Sequence, residues 1–207
     1  MNVRAEDCQN LDRALSLEWL ETNGRGGFSS GTVAGANTRR YHALLLTARK
    51  PPSEWFVLVN QIEEWLDLDG QPFPLSTNCY PDAVHPSGYQ FCTGFAIDPW
   101  PTWTFICGGT TIQREIFTVH GCDLVIIRWS VLGNKNQRAI LRVRPKLTGR
   151  DYHATHHENG NLSTDASIKA GTVTWQVYTD LPPIRAFHAG DYRHAPEWYR
   201  QVQFPSG

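Results

Sequence analysis

The densest group of side chains able to do chemistry lies in a short polar segment, residues 37–42. The guanidinium group of arginine is a planar fork of donors that can clamp a carboxylate or the hydroxyl groups of a sugar. A neighbouring tyrosine or histidine can orient such a fork. The alternative is a solvated strand end that holds an ion pair. The side chains with this binding potential are Asn37, Arg39, Arg40, Tyr41 and His42.

A second polar group lies farther along the chain, in residues 150–158. Its histidines and its glutamate follow the pattern H-x-x-H-H-E, which contains usable metal ligands. Clustered histidines in a polar loop are usually solvated, however, and no cysteine lies nearby. We therefore predict no metal site here, and a structural or interdomain role for Arg150 and Asp151.

Paired carboxylates catalyse glycoside hydrolysis when they stand about 5–9.5 Å apart. Glu63 and Glu64 are neighbours on a predicted strand, so their side chains point to opposite faces of the sheet and cannot act together. Asp69 belongs to an Asp-Gly dipeptide that is typical of a tight hairpin turn. No pair is suited to catalysis, and we assign no catalytic residue to this chain.

Two further patterns resemble ligand sites only superficially. The glycine-rich residues 23–32 lack the G-K-[ST] ending of a phosphate-binding loop, which predicts a backbone-shaping loop and no cofactor. A basic row occupies one face of a single predicted strand: Arg138, Arg142, Arg144 and Lys146. Because the net charge of the chain is −1, this row is more typical of a solvent face than of a nucleic-acid site.

The chain is rich in aromatic residues, with 8 Trp, 7 Tyr and 9 Phe. Large β-sheets use aromatic rings as core filler and as cross-strand partners. A flat ring also matches the C–H face of a pyranose, so some rings could stack on a sugar. Trp129 and Trp175 lie on apolar strand faces, which assigns them to the core. Trp100 and Trp103 lie in a predicted Pro-rich turn and are the better candidates for stacking.

Composition excludes several classes of protein. Apolar residues make up 41% and charged residues 19% of the chain, which excludes a disordered chain and a highly charged coiled coil. No apolar run approaches the roughly 18 residues that span a bilayer, and the amino terminus lacks the apolar segment of a secretory signal. The 5 cysteines form no C-x-x-C pair, which predicts reduced thiols in a cytoplasmic protein and no structural zinc.

The spacing of the apolar residues predicts the elements that position these side chains. Residues 1–10 are unpatterned, which indicates a loose tail, and residues 11–20 have the spacing of a short amphipathic helix. Most of the remaining chain alternates with a period of two between turns such as residues 133–136. We predict an all-β fold, a large antiparallel two-sheet β-sandwich. Residues 1–17 would form the tail and helix, and residues 18–207 a single sandwich domain.

One segment is distinctive enough to carry a family resemblance. Residues 18–46 read EWLETNGRGGFSSGTVAGANTRRYHALLL. Together with residues 75–95, 98–103, 144–153 and 197–200, this segment resembles the bacterial and archaeal glycogen debranching enzymes, the amylo-α-1,6-glucosidase family. The resemblance covers nearly the whole chain after residue 15, and it is closest to the N-terminal domain of these enzymes.

The resemblance implies a fold and a role. The fold is a β-supersandwich, as in the N-terminal domain of glucoamylase-type hydrolases, which precedes an (α/α)6 barrel with the hydrolytic carboxylates. A chain of 207 residues has no room for the helices of that barrel, so the barrel is expected to be absent and the isolated domain inactive. The implied role is an accessory domain that packs on the barrel and shapes its glucan-binding entrance in glycogen breakdown.

Two other functions stay open: an independent glucan-binding module, and the 4-α-glucanotransferase part of a bifunctional debranching enzyme. The expected partners are the barrel of the same polypeptide and α-glucan, but neither nucleic acid nor a membrane, and a homodimer could form through the exposed interdomain face. The residues expected to contact glucan or the barrel are Asn23, Asn37, Arg39, Arg40, Tyr41, His42, Arg150, Asp151, His153, Trp100 and Trp103.

Overall fold

The computed structural model describes residues 1–133 and 137–206, in which strand makes up 52% and helix 7%. The elements in chain order are β1 (Asn2–Arg4), α1 (Ala5–Cys8), α2 (Leu11–Ser16), β2 (Glu18–Thr22), β3 (Phe28–Thr32), β4 (Ala43–Lys50), β5 (Ser53–Leu68), β6 (Gln71–Pro74), β7 (Thr77–Tyr80), β8 (Ala83–Ser87), a 3-10 helix (Gly88–Phe91), β9 (Cys92–Ile97), β10 (Pro101–Cys107), β11 (Thr110–Thr118), β12 (Val125–Leu132), β13 (Ala139–Asp151), β14 (Ala166–Lys169), β15 (Thr172–Trp175) and β16 (Ile184–Phe187). None of the helices in these ranges is long and apolar enough to cross a membrane. The turn predicted at residues 133–136 falls largely outside the described residues.

The strands form two main antiparallel sheets. The five-stranded sheet has the order β1-β9-β10-β11-β12, and the six-stranded sheet has the order β13-β5-β4-β3-β2 with β6 paired to β5. The remaining strands form two smaller sheets, β14-β15-β16 and β7-β8. The predicted all-β, antiparallel two-sheet sandwich is therefore confirmed.

The core lies between the two main sheets because their strands alternate inward and outward side chains. In β10 the buried positions include Trp103 and Phe105, while the residues between them are half-buried or exposed. The Trp103 ring meets the edge of Trp19 from β2 at a centroid distance of 5.4 Å and that of Phe95 from β9 at 4.8 Å. Each fully buried large apolar side chain contributes about 1.5–3 kcal/mol, so these rings join the sheets.

A buried ion pair also joins the sheets. Glu64 of β5 has no exposed surface, and its Oε2 lies 2.5 Å from Nη1 of Arg114 on β11. The second carboxylate oxygen accepts a hydrogen bond of 2.6 Å from the indole N–H of Trp129. The neighbouring Glu63 faces the other side of the sheet, where it accepts a hydrogen bond from the Tyr199 hydroxyl. The prediction that these two acids lie on opposite faces is therefore confirmed.

The amino-terminal segment is not a loose tail, so that prediction is wrong for residues 1–10. β1 pairs with β9, and both Val3 and Cys8 are buried in the core. The segment was missed because each of its elements is too short to show a periodic pattern. The helix predicted for residues 11–20 begins correctly but ends at Ser16. Beyond it the chain enters β2, where Trp19 pairs with Gly31 of β3.

The basic face of β13 is only partly a solvent face. Arg138, Arg142 and Arg144 are exposed, as predicted, but the Lys146 side chain is only 8% exposed. The reason is the C-terminal strap, residues 197–206, which crosses this face. The Lys146 ammonium lies 4.1 Å from the centre of the Tyr199 ring and donates a hydrogen bond of 2.7 Å to the side chain of Asn78. Burial lowers the pKa of Lys146 to about 8.

Candidate functional site

Most of the predicted site residues meet at one place, where the loop between β3 and β4 contacts the end of β13. The Arg40 side chain donates a hydrogen bond of 3.2 Å to the carbonyl of His153. The Tyr41 ring lies 4.5 Å from that of Tyr152 and 5.9 Å from that of His153, between ring centres. We call this group the arginine cluster; it consists of Asn37, Arg39, Arg40, Tyr41, His42, Arg150, Asp151 and His153.

The loop before β4 owes its shape to local hydrogen bonds. Gly35 has a φ of +82°, a value that glycine adopts without strain, and it turns the chain back after β3. The buried Asn37 side chain then donates hydrogen bonds to the carbonyls of Asn60, at 2.9 Å, and His42, at 3.4 Å. A backbone hydrogen bond of 3.1 Å from His42 N–H to the Arg39 carbonyl completes the turn. Asn37 therefore shapes the loop and offers no exposed binding group.

His42 is the buried pivot of the cluster. Its Nδ1 accepts hydrogen bonds from the backbone N–H of Thr38, at 3.1 Å, and of Arg39, at 3.4 Å. The proton of the neutral ring is therefore on Nε2, which lies 3.5 Å from a carboxylate oxygen of Glu18. Burial outweighs the attraction of Glu18 and lowers the pKa of His42 to about 4. A neutral imidazole thus holds the two residues that precede Arg40.

The low pKa of His42 makes stability depend on pH. An unfolded histidine has a pKa of about 6.5 and the folded one a pKa of about 4, so the unfolded state binds more protons between these values. Stability is therefore complete above about pH 6.5 and is lost as the pH falls toward 4. We expect His42 to account for a loss of about 2 kcal/mol between pH 7 and pH 5, measured by urea unfolding.

The control for this prediction is His42→Asn, whose side-chain oxygen can replace Nδ1 as the acceptor. The free energy of unfolding of this variant is expected to lack the part that His42 makes pH-dependent. Because the natural chain loses stability between pH 7 and pH 5, the difference between the two chains should be smaller at pH 5 than at pH 7. His85→Asn removes an exposed histidine and controls for the loss of a histidine as such. An unchanged pH profile in His42→Asn would contradict the assignment.

Arg150 is a buried residue that holds the segments of the cluster together. Only 3% of it is exposed, although a guanidinium group is normally hydrated. One terminal nitrogen donates a hydrogen bond of 2.9 Å to the carbonyl of Ala154, and the other donates to the Arg40 carbonyl and, at 3.3 Å, to the Asn60 side chain. Burial is the main cause that lowers the pKa of Arg150 to about 10, and the positive charge of Arg40 lowers it further. Arg150 therefore ties the β3–β4 loop to the end of β13.

The exposed side of the cluster carries the groups that could bind a ligand or another domain. Arg39 pairs with Glu18 at 2.7 Å and keeps 45% of its side chain exposed. Asp151 and His153 are exposed, and the carboxylate of Asp151 fixes the backbone N–H of His153 at 2.8 Å. Arg40 is half-buried, and its guanidinium carbon lies 5.5 Å from the centre of the Tyr41 ring. This surface offers guanidinium donors, a carboxylate and aromatic edges, the groups that bind hydroxyls and carboxylates.

Asn23 lies outside the arginine cluster and is a structural residue. It is buried, and its amide nitrogen donates hydrogen bonds to the Cys122 carbonyl, at 3.2 Å, and to Asp123, at 2.8 Å. Its amide oxygen accepts hydrogen bonds from the backbone N–H of Arg25, at 2.8 Å, and of Gly27, at 2.9 Å. These contacts fold the glycine-rich loop onto the β11–β12 connection, as the backbone-shaping interpretation predicts.

The two tryptophans predicted to stack on sugar have other surroundings. Trp103 is only 1% exposed, and its indole N–H donates a hydrogen bond of 2.9 Å to the carbonyl of Val33, so it has no free face. The prediction failed because the turn ends at Pro101, and Trp103 already lies on the inner face of β10. Trp100 is half-buried and stacks on Phe117 with ring centres 4.7 Å apart. Trp175 is buried in the core, as predicted.

Sequence reasoning missed several members of the site. Glu18 orients both Arg39 and His42, Asn60 accepts from Arg150, and Tyr152 supports the Tyr41 ring. No local pattern marks Glu18 or Asn60, because each reaches the cluster only through strand pairing. Across residues 1–133 and 137–206, no group of three or more His, Cys, Asp or Glu side chains could hold a metal ion. The five cysteines are free thiols.

Residues 17–206 of the chain match a protein family described as "Glycogen debranching enzyme N terminal". No curated protein and no solved structure was found to match the chain. The match covers β2 to β16, the arginine cluster and the C-terminal strap, and it begins after β1, α1 and α2. The chain therefore belongs to the family of glycogen debranching enzyme N-terminal domains.

Proposed function

We propose that this chain is the accessory domain of a cytoplasmic glycogen debranching enzyme, in which it packs on the catalytic barrel and shapes the glucan-binding entrance. The observation that carries the proposal is the arginine cluster. Two buried groups, His42 and Arg150, hold the backbone on either side of Arg40, so the guanidinium groups of Arg39 and Arg40 stand on a rigid base. Such a preorganised surface binds a partner without a large loss of conformational entropy.

The chemistry of this surface supports contact with a domain or with glucan, not catalysis. Arg39 and Arg40 supply forked donors, which suit the carboxylates of a neighbouring domain and the hydroxyl groups of a sugar. Asp151 is the acid within the cluster, and it is exposed and bonded to backbone. Hydrolysis of a glycosidic bond uses two carboxylates that face one bond. In our proposal the partner barrel supplies both.

The path of the C-terminal strap supports the same placement. The backbone N–H of Ser206 donates a hydrogen bond of 2.8 Å to the Thr38 carbonyl, and its own carbonyl accepts one of 3.3 Å from Arg39. A barrel joined after residue 206 would therefore begin beside the arginine cluster. The proposed partners are this barrel and α-glucan. Two copies of the domain could also meet through the same face when no barrel covers it.

The test is Arg40→Ala in a polypeptide that carries the catalytic barrel. A charged hydrogen bond contributes about 1.5–3 kcal/mol, so we expect the rate of α-1,6 branch hydrolysis to fall about tenfold or more. Release of glucose from a branched dextrin measures this rate. Arg40→Lys should restore only part of it, because an ammonium group lacks the planar fork.

Arg185→Ala is the matched control, since it removes an exposed arginine from β16 on a separate sheet. It is expected to leave hydrolysis unchanged. The melting temperature of each variant shows whether a lower rate follows from unfolding. Natural hydrolysis rates in a folded Arg40→Ala enzyme would overturn the proposal.

A further inference from the structure

A polar cavity of about 350 Å³ lies at the carboxyl end of β13 and shares Arg150 and Asp151 with the arginine cluster. Arg150, Asp151 and His156 of its lining belong to the polar segment 150–158 that stands out in the sequence, but no motif pointed to the rest of the lining. Its volume falls within the roughly 300–1,000 Å³ that is usual for small-molecule sites. The lining consists of Phe56, Gly149, Arg150, Asp151, His156, Asn159, Asn161, Tyr178, Asp180 and Leu181.

The walls of the cavity are fixed before any ligand binds. Gly149 has a φ of +78°, and a Cβ at this position would lie 2.8 Å from atoms of Tyr178 and Leu181, so the strand and the opposite wall touch there. The side chain of Gln176 fastens that wall with hydrogen bonds of 2.6 Å to the carbonyls of both Tyr178 and Leu181. On another side, Asn159 donates a hydrogen bond of 3.3 Å to the Tyr178 hydroxyl.

The lining favours an uncharged ligand with many hydroxyl groups. The lining carries one guanidinium, of Arg150, and two carboxylates, of Asp151 and Asp180, so an anionic ligand would meet net repulsion. Burial, together with the charges of Arg150 and His157, lowers the pKa of His156. His156 is thus a neutral imidazole with one donor and one acceptor. Hydroxyl groups both donate and accept, and they can pair with every polar group in this set.

Aromatic and donor groups complete the site. Phe56 and Tyr178 add two aromatic rings to the lining, and an aromatic ring suits the C–H face of a sugar. The hydrogen bonds of the Arg150 side chain that the structure describes use its terminal nitrogens, and none of them uses Nε. Within the described residues, that N–H is a donor without a protein acceptor.

We infer that this cavity is a binding site for one unit of an uncharged saccharide, formed by this chain alone. Carboxylates of Asp151 and Asp180 accept hydrogen bonds from its hydroxyl groups, and amides of Asn159 and Asn161 complete the polar wall. The inference rests on the proposed function only for the choice of a glucose oligomer as the probe. It gives the domain a sugar contact of its own, beside the surface that meets the barrel.

The test is titration of the 207-residue chain with maltotriose, followed by amide chemical shifts in NMR spectra. We expect saturable shifts concentrated in residues 149–161 and 176–181. Asp180→Asn should raise the dissociation constant about tenfold, because a neutral amide oxygen is a weaker hydrogen-bond acceptor than a carboxylate. Asp180 is exposed, so this change is expected to leave the fold intact.

Asp82→Asn, another exposed aspartate, is the matched control and should bind maltotriose like the natural chain. Three results would overturn the inference: no saturable shifts in the folded chain, equal binding by Asp180→Asn, or shifts in these residues with calcium or inorganic phosphate in place of maltotriose. The chain is tested here without a barrel. Failure of this site is therefore distinguishable from failure of the Arg40 experiment.

Discussion

Replacing Glu64 by glutamine is expected to destabilise the fold by about 3 kcal/mol, since removal of one partner from a buried ion pair leaves the other charge uncompensated. Arg114 is 4% exposed, and its guanidinium carbon lies 4.1 Å from the centre of the Trp103 ring, so water cannot replace the lost carboxylate. Glutamine keeps the shape of the side chain and an acceptor for Trp129. The measured loss would thus report the charge and not a cavity.

Urea unfolding measures this loss, and the melting temperature should fall by roughly 6–12 °C for a domain of this size. Glu54→Gln breaks the exposed pair with Lys50 and is the matched control, with an expected cost below about 1 kcal/mol. Glu64→Leu combined with Arg114→Met should be more stable than either single variant, because an apolar pair leaves no buried charge. Equal costs for Glu64→Gln and Glu54→Gln would refute a structural role of the ion pair.

The two polar segments of the site could be predicted from sequence, but their meeting could not. Residues 37–42 and 150–153 are dense in polar groups that a strand end does not require, and this density is a local property. Their contact depends on β13 pairing with β5 and β5 with β4, where Phe56 lies opposite both Asp151 and Thr47. The pairing of β5 with β13, which are distant in sequence, leaves no mark on either strand.

Period-two alternation predicted the sandwich and could have placed Trp103 correctly. Once Pro101 is taken as the first residue of β10, Trp103 shares the inward face with Phe105. For Lys146, in contrast, the alternation could not predict the surroundings of the side chain. Its strand position predicts exposure, but its side chain is buried by Asn78 and by the C-terminal strap, which brings Tyr199 over it. A segment without regular structure carries no periodic signal that could predict this cover.

The polar segment 150–158 stands out in the sequence, but the saccharide cavity beside it could not be predicted, because the cavity arises from an irregularity. The pairing of β13 with β5 shifts register between Leu147 and Arg150, and Gly149 lies within that shift. The shift turns Arg150 inward and opens space beside it, which the segments around Asn159 and Tyr178 enclose. A lone glycine in a strand suggests a bulge or a close contact, but it does not show what lies on the other side.

Replacing Arg150 by methionine should disrupt the arginine cluster more than any change on its surface. Methionine keeps the apolar stem but leaves the carbonyls of Arg40 and Ala154 and the side chain of Asn60 without their donor. Each buried acceptor that loses its partner costs about 1–3 kcal/mol, and partial access of water reduces the sum. We expect a loss of about 3 kcal/mol in the free energy of unfolding, together with faster amide exchange in residues 37–42 and 151–154.

The same argument predicts that lysine cannot replace Arg150, because its three donors radiate from one point and cannot reach acceptors on both sides of a planar fork. Arg150→Lys should therefore stay at least 2 kcal/mol below the natural chain, a difference of about thirtyfold in the folding equilibrium. Arg185→Met, an exposed matched control, should lie within about 0.5 kcal/mol. Full stability of Arg150→Lys in urea would mean that charge alone holds the cluster. Arg39 and Arg40 would then stand on a less rigid base than the proposed function requires.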